Sequence, residues 1–369
     1  IECYEKSLRI ASEGGDRATE GDAYLNLGRV YFSQSDFSKA IECYEESLKI
    51  PREAGNRALE GDAYLNLGRV YFSQSDFSKA IECYEESLKI PREAGNRALE
   101  GDAYLNLGRV YFSQSDFSKA IECYEESLKI PREAGNRALE GDAYLNLGRV
   151  YFSQSDFSKA IECYEESLKI PREAGNRALE GDAYLNLGRV YFSQSDFSKA
   201  IECYEESLKI PREAGNRALE GDAYLNLGRV YFSQSDFSKA IECYEESLKI
   251  PREAGNRALE GDAYLNVGLF FDSQGDFPNA IECYEKSLKI ASEGGDWATE
   301  GKVYLNLGHV YYSQSDFRKA TECYENSLSF AKEAGDQAGV TRVNEFLLDS
   351  YTALGNSSKG TEYREKYLK

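Results

Sequence analysis

A 40-residue block, Gly21–Glu60, GDAYLNLGRVYFSQSDFSKAIECYEESLKIPREAGNRALE, occurs six times without a change and ends at Glu260. Two diverged copies follow, Gly261–Glu300 and Gly301–Val340, and a degenerate copy at 341–369 closes the chain. Residues 1–20 match the second half of a unit. A chain of 369 residues would otherwise be divided into two or three globules of about 150 residues. Self-similarity at a fixed period replaces that expectation with one array over 1–369: a partial unit (1–20), six identical units (21–260), two diverged units (261–340) and a capping unit (341–369).

Each unit reads as two helices. Ala63, Tyr64, Leu67, Gly68 and Tyr71 share one face at helical spacing between Arg57 and Gln74. Gly55-Asn56 supplies a helix stop followed by an N-cap. Ser75-Asp76 forms the turn, and Asp76 caps a second helix running from Phe77 towards Glu93. That helix turns Phe77, Ala80, Ile81, Tyr84, Ser87 and Leu88 inward. Short connections make the two helices antiparallel neighbours. No alternating run supports a strand. Pro91, repeated at 51, 131, 171, 211 and 251, falls late in the second helix, where it removes a hydrogen bond. The diverged copies carry Ala11, Ala291 and Ala331 there and keep the same ending, which favours a helix continuing through a kink to about Glu93 over a stop at Lys89.

The pattern Tyr64, Leu67, Gly68, Tyr71, Ala80, Tyr84 and Ser87 resembles the tetratricopeptide repeat signature over essentially the whole chain. The period of 40 exceeds that family's usual period of about 34 and looks like the subclass found in Partner-of-Inscuteable/LGN-type polarity scaffolds. The resemblance implies an all-α fold, an α-solenoid in which stacked antiparallel helix pairs form a right-handed superhelix. Repeat physics agrees: one hairpin cannot bury its apolar face, whereas stacked hairpins build a continuous core and need polar or irregular ends. The last unit fits a cap, with Leu348 and Gly360 at the Gly68 and Ala80 positions and with Glu345 and Asp349 on its first helix.

The first helix carries a second stripe, Asp62, Leu65, Asn66, Arg69, Phe72 and Ser73. In proteins resembling this one, that stripe lines a concave groove that binds extended peptides. An Asn amide offers a donor and an acceptor to a peptide backbone, and Arg offers a forked donor to a carboxylate. Leu65 and Phe72 add apolar contact. The ladder comprises Asn26, Asn66, Asn106, Asn146, Asn186, Asn226, Asn266 and Asn306, with Arg29, Arg69, Arg109, Arg149, Arg189 and Arg229. The diverged units keep Leu265, Asn266, Leu305 and Asn306 but carry Leu269 and His309 for Arg, Asp272 and Tyr312 for Phe, and Lys302 for one Asp. A backbone grip with variable side-chain pockets would diverge in this way. Packing of Asn between neighbouring first helices stands beside it, as does pairing of Arg69 with Asp62 or with an adjacent repeat.

Other chemistry is poorly served. The net charge of −20 disfavours nucleic acid and anionic membrane surfaces. The six identical blocks supply −12 of it, much of it from Glu82, Glu85 and Glu86 and their copies on an outer, solvated face. No run of apolar residues is long enough to span a bilayer. No basic-then-apolar leader precedes the array, and the absence of Met even at position 1 reads as a fragment of something longer. The nine Cys recur once per repeat without a C-x-x-C pair, which suits packing in a reducing, cytoplasmic compartment better than a metal site or disulfides. His309, the single His, lacks a nucleophile partner, and Asn356-Ser357-Ser358 is a chance glycosylation match. Trp297 is either an exposed contact or a local packing change. The expectation is therefore a non-enzymatic scaffold without cofactor or metal, its partner a protein or peptide in the groove. The alternative is an engineered or structural array without a native ligand, self-associating head to tail through the lone helix of residues 1–20.

Overall fold

The computed structural model describes residues 2–50, 57–90, 97–130, 137–170, 177–210, 217–254 and 257–356, together with 359 and 363. These residues contain eighteen α-helices and no strand. The chain divides into two compact units, Ile1–Asn186 and Leu187–Lys369.

In the first unit α1 (Glu2–Gly14) packs on α2 (Arg17–Ser33), which pairs with α3 (Phe37–Lys49). The pairs α4 (Arg57–Ser73) with α5 (Phe77–Lys89), α6 (Arg97–Ser113) with α7 (Phe117–Leu128), and α8 (Arg137–Ser153) with α9 (Phe157–Leu168) follow. We call the first helix of each pair A and the second B. The B helices α3, α5 and α7 each contact the next A helix, and the A helices also touch in succession, α2 on α4, α4 on α6 and α6 on α8. The second unit repeats the scheme with α12 (Arg217–Ser233) on α13 (Phe237–Ala254), α14 (Arg257–Ser273) on α15 (Phe277–Gly294), and α16 (Trp297–Ser313) on α17 (Phe317–Glu333). It opens with α11 (Phe197–Leu208) against α12 and ends with α18 (Gln337–Ala353) against α17; α10 (Arg177–Ser193) contains the boundary between the units.

The turn inside each pair forms for local reasons. Ser75 adopts φ 60°, its N–H bonds to the carbonyl of Phe72 at 2.9 Å, and the Asp76 N–H bonds to that of Tyr71 at 2.9 Å. This pair of bonds closes a helix C-terminus through one left-handed residue. Asp76 then accepts from the Lys79 N–H at 3.2 Å and so starts α5, as expected. Lys79 braces the turn, with Nζ 3.0 Å from Asp76 Oδ2 and 5.0 Å from the Tyr71 ring centre.

The core lies at the seam between pairs. Leu65, Ala80, Tyr84, Leu99, Ala103 and Leu107 form one cluster drawn from α4, α5 and α6. Leu65 is 3% exposed there. The expected inward set of α5 is graded: Ala80, Tyr84 and Ser87 are buried with Cys83, while Phe77, Ile81 and Leu88 are half-buried. Ser87 also donates from Oγ to the Gly61 carbonyl at 3.1 Å, a bond from B to A helix that recurs at Ser47, Ser127, Ser167, Ser287 and Ser327.

The B helix ends earlier than expected in five copies. α3 and α5 stop at Lys49 and Lys89, and Ile50 and Ile90 are extended at ψ 125° and 122°. Proline disfavours the helical conformation in the residue before it, which accounts for the stop. α7, α9 and α11 stop at Leu128, Leu168 and Leu208. A continuous helix occurs at α13, which passes through Pro251, and in α15 and α17, where Ala291 and Ala331 replace Pro. Pro51, Pro91, Pro131, Pro171 and Pro211, the expected Asn56 cap and most of the segment after Asn356 lie outside the described residues.

Candidate functional site on the A helices

The A-helix stripe divides by depth. Asn66, Asn106, Asn146, Asn186, Asn226 and Asn266 lie at its floor, 5–7% exposed, and Asn26 and Asn306 are half-buried. The Nδ2 of Asn66 donates to the Asp62 carbonyl one turn earlier at 2.7 Å. The same bond occurs at Asn26, Asn106, Asn146, Asn186, Asn226 and Asn266. A carbonyl can only accept, so this bond fixes the amide orientation and commits one N–H to the helix. Asn is thus partly a packing residue, with Oδ1 and the second N–H left for other contacts.

Leu65 does not belong to an open surface. Position 65 points along the stripe but into the next pair, where Leu99 and Ala103 cover it, so the expected apolar contact from Leu65 is corrected to core packing. Phe72 is half-buried, its ring centre 6.0 Å from that of Phe77 across the turn. The large apolar group at the stripe's accessible edge is therefore Phe72.

The Arg positions reach forward to the next repeat. Arg29 Nη2 lies 4.0 Å from Asp62 Oδ2, and Arg189 Nη2 lies 3.9 Å from Asp222 Oδ2. Arg229 Nε donates to Asn266 Oδ1 at 3.0 Å. Of the two pairings open for Arg, the interrepeat one is thus seen. The Arg29 and Arg189 side chains remain 48% and 39% exposed, and ion pairs so placed are worth less than about 1 kcal/mol. Burial pushes the carboxyls of Asp62, Asp102, Asp142, Asp222 and Asp262 up, and Arg neighbours oppose the shift. The rungs thus have a polar floor of Asn and, at Arg29–Asp62 and Arg189–Asp222, a rim of loosely paired Asp and Arg, chemistry suited to hydrogen bonding and charge pairing.

The diverged rungs differ in kind. Leu269 is 37% exposed and Tyr312 37% exposed. His309 stands edge-on to Phe346 at 4.5 Å, and burial lowers its pKa. Phe346 occupies the Asn position of the last repeat, so His309 makes with an aromatic ring the forward contact that Arg229 makes with Asn266. Trp297, at the start of α16, is 59% exposed. The cysteines are all free thiols, and burial raises Cys83 and Cys123 to about 12. Among the described residues no group of three or more His, Cys, Asp or Glu side chains is placed to hold a metal ion, and no helix is long and apolar enough to cross a membrane.

Comparison with known proteins agrees with this architecture. No curated protein sequence matches the chain. Similar solved structures include the apo form of the quorum sensor NprR from B. thuringiensis, with TM-score 0.65, 16% identity, and coverage of 94% of this chain and 97% of that one. A Rap protein complexed with Competence and Sporulation Factor aligns with TM-score 0.61 and 15% identity over 95% of this chain and 96% of that one. A signal-transduction ATPase with a tetratricopeptide repeat sensor from Pyrococcus horikoshii gives 0.67 and 16% over 95% of this chain and 52% of that one, so the chain spans about half its length. At these identities the likeness shows the fold alone. The tetratricopeptide repeat family model matches residues 1–53, 59–133, 99–173, 139–213, 179–253 and 259–333. With eighteen helices in repeating A/B pairs and these matches tiled along it, the chain belongs to the tetratricopeptide repeat family.

Proposed function

We propose that the chain is a non-enzymatic interaction scaffold whose A-helix stripe binds an extended peptide segment of a partner protein. The observation that carries this is the repetition of one polar rung, with half-exposed Arg29 and Arg189 in loose pairs of 3.9–4.0 Å to Asp62 and Asp222. Such pairs cost little to exchange for a ligand's backbone carbonyls and carboxylates. The solved Rap protein complexed with Competence and Sporulation Factor supports the use of this fold for ligand capture. The binding residues are the six Arg, with the Asn ladder Asn26 to Asn306 as floor and Phe72 and its copies at the edge. Nine free thiols support a reducing, cytoplasmic setting as part of this reading.

Selection from a random dodecapeptide library tests the reading. Selected peptides lose at least about tenfold in affinity when Arg29, Arg69, Arg109, Arg149, Arg189 and Arg229 become Gln, one or more charge-assisted contacts being removed. They keep it when Glu82, Glu122 and Glu162 on the B helices become Gln. Unchanged affinity in the first variant overturns the assignment.

A further inference from the structure

Where the next unit also carries Arg, the buried tyrosine of a B helix has two guanidiniums within electrostatic reach, whereas Tyr244, followed by Leu269, has Arg229 alone. Tyr84 lies within electrostatic reach of Arg69 and Arg109, Tyr124 of Arg109 and Arg149, and Tyr204 of Arg189 and Arg229. The seventh repeat breaks the pattern. At the same spacing Tyr284 faces positions 269 and 309, which hold Leu269 and His309. Tyr284 is 0% exposed, and its hydroxyl has no hydrogen-bond partner among the described residues; neither has the buried Nε2 of His309. Asp272 stands where the identical repeats carry Phe. It is half-buried, burial alone pushes its carboxyl up, and it acts on Tyr284 through space. Lys302, the cation that replaces Asp in the next rung, acts on Asp262 and Asp296 instead.

Asp272 and Tyr284 thus stand in a rung that lacks the guanidinium its homologues supply from within the chain, while His309 turns forward onto Phe346. Buried polar groups without partners cost stability, and so does a half-buried carboxylate without a counter-charge. We propose that the rung formed by Asp272, Tyr284 and Leu269 is a seat for a basic side chain of the bound peptide. An Arg or Lys of the ligand takes the place that the chain's own Arg holds elsewhere, its charge on Asp272 and its stem along Leu269, which is 37% exposed. The seat rests on the peptide-binding reading of the A helices and specifies one side chain of that peptide.

His309, the only histidine, stands at the Arg position of the next A helix, so its imidazole proton signals in NMR report from beside this rung. Titrating N-acetyl-arginine methylamide into the full chain shifts them saturably. The citrulline analogue, equal in size and uncharged, does not, and Asp272→Asn weakens the arginine response about tenfold by removing a charge-assisted contact. No saturable shift, an equal shift with citrulline, or an unchanged response in Asp272→Asn overturns the seat. Dodecapeptides selected on the chain carry Lys or Arg in one fixed register, and Leu269→Arg, which restores the repeat's own cation, abolishes that preference. An arginine response without any peptide binding upholds the seat and defeats the peptide reading. Peptide binding with neither arginine response nor basic preference does the reverse.

Discussion

Gly68 is tied to Tyr84 by distance: a Cβ at position 68 would stand 2.5 Å from Tyr84 Cε1 and 2.8 Å from Cδ1. A fully packed ring in the seam has nowhere to move. Gly68→Ala together with Gly108→Ala therefore destabilises each affected pair by about 2 kcal/mol of overpacking, despite the better helix propensity of Ala. Urea unfolding followed by circular dichroism reads this as an earlier onset of the transition. Ser75 carries the opposite lesson. It holds φ 60° as a non-glycine residue, and the same turn in the seventh repeat uses Gly275 at φ 73°. Ser75→Gly relieves the left-handed penalty and loses part of the gain to the more flexible unfolded chain. The net stabilisation is about 0.5–1 kcal/mol, measurable in the same melts.

Within a helix pair, the turn is secured three times over, by the backbone closure at Ser75, the Asp76 cap and the Lys79 brace. The contact between helices rests on packing and on the bond from Ser87 Oγ to the Gly61 carbonyl. Ser87→Ala with Ser127→Ala removes two such bonds and costs about 1 kcal/mol for each, because the Gly61 carbonyl keeps its helical partner; thermal unfolding by circular dichroism checks it. Much of this was legible in the sequence. Ser75-Asp76 and the Gly68/Tyr84 pair announce the hairpin, since both are local or one repeat deep. The end of the B helix was not, because proline both breaks and tolerates helix: Ile90 is extended, yet α13 runs through Pro251. The candidate site was legible in position but not in depth. Asp62, Leu65, Asn66 and Arg69 share a stripe by periodicity, but the placement of the next repeat decides which are covered. Leu65 is closed by Leu99 and Ala103, while Arg69 stays half-exposed. Tyr284 lacks a neighbouring guanidinium because of changes at positions 269 and 309, a loss visible only once the register between repeats is known.

Across the chain, one aspartate column and one set of caps respond oppositely to acid. Burial raises the pKa of Asp102 and Asp142 on folding. A raised acid favours the folded state below the unfolded value, about 3.9, and loses that contribution as pH rises through the folded value. Asp102→Asn with Asp142→Asn therefore raises the melting temperature at pH 7, and the gain vanishes below about pH 3.9, where the wild-type groups are already neutral. Asp76 is held low by side-chain and backbone hydrogen bonds with Lys79, so its contribution is present above the unfolded value and is lost as pH falls through the folded one. Thermal melts across pH separate the two classes. The exact sixfold copy also bears on the proposed binding, because identical rungs would offer a ligand several equivalent registers and a shift to intact neighbours would mask single-rung substitutions. Arrangement, at constant number, is the discriminating variable. Arg149→Gln, Arg189→Gln and Arg229→Gln leave Arg29, Arg69 and Arg109 on adjacent A helices, whereas Arg69→Gln, Arg149→Gln and Arg229→Gln leave no two neighbouring rungs intact. The fluorescence anisotropy of one labelled peptide, selected from the library on the Asp272→Asn chain so that no seat fixes its register, is measured against both triple variants in that chain. An extended peptide gripped along the A helices binds the first within a few-fold of wild type and the second at least about tenfold more weakly. Equal affinity for the two would contradict the ladder.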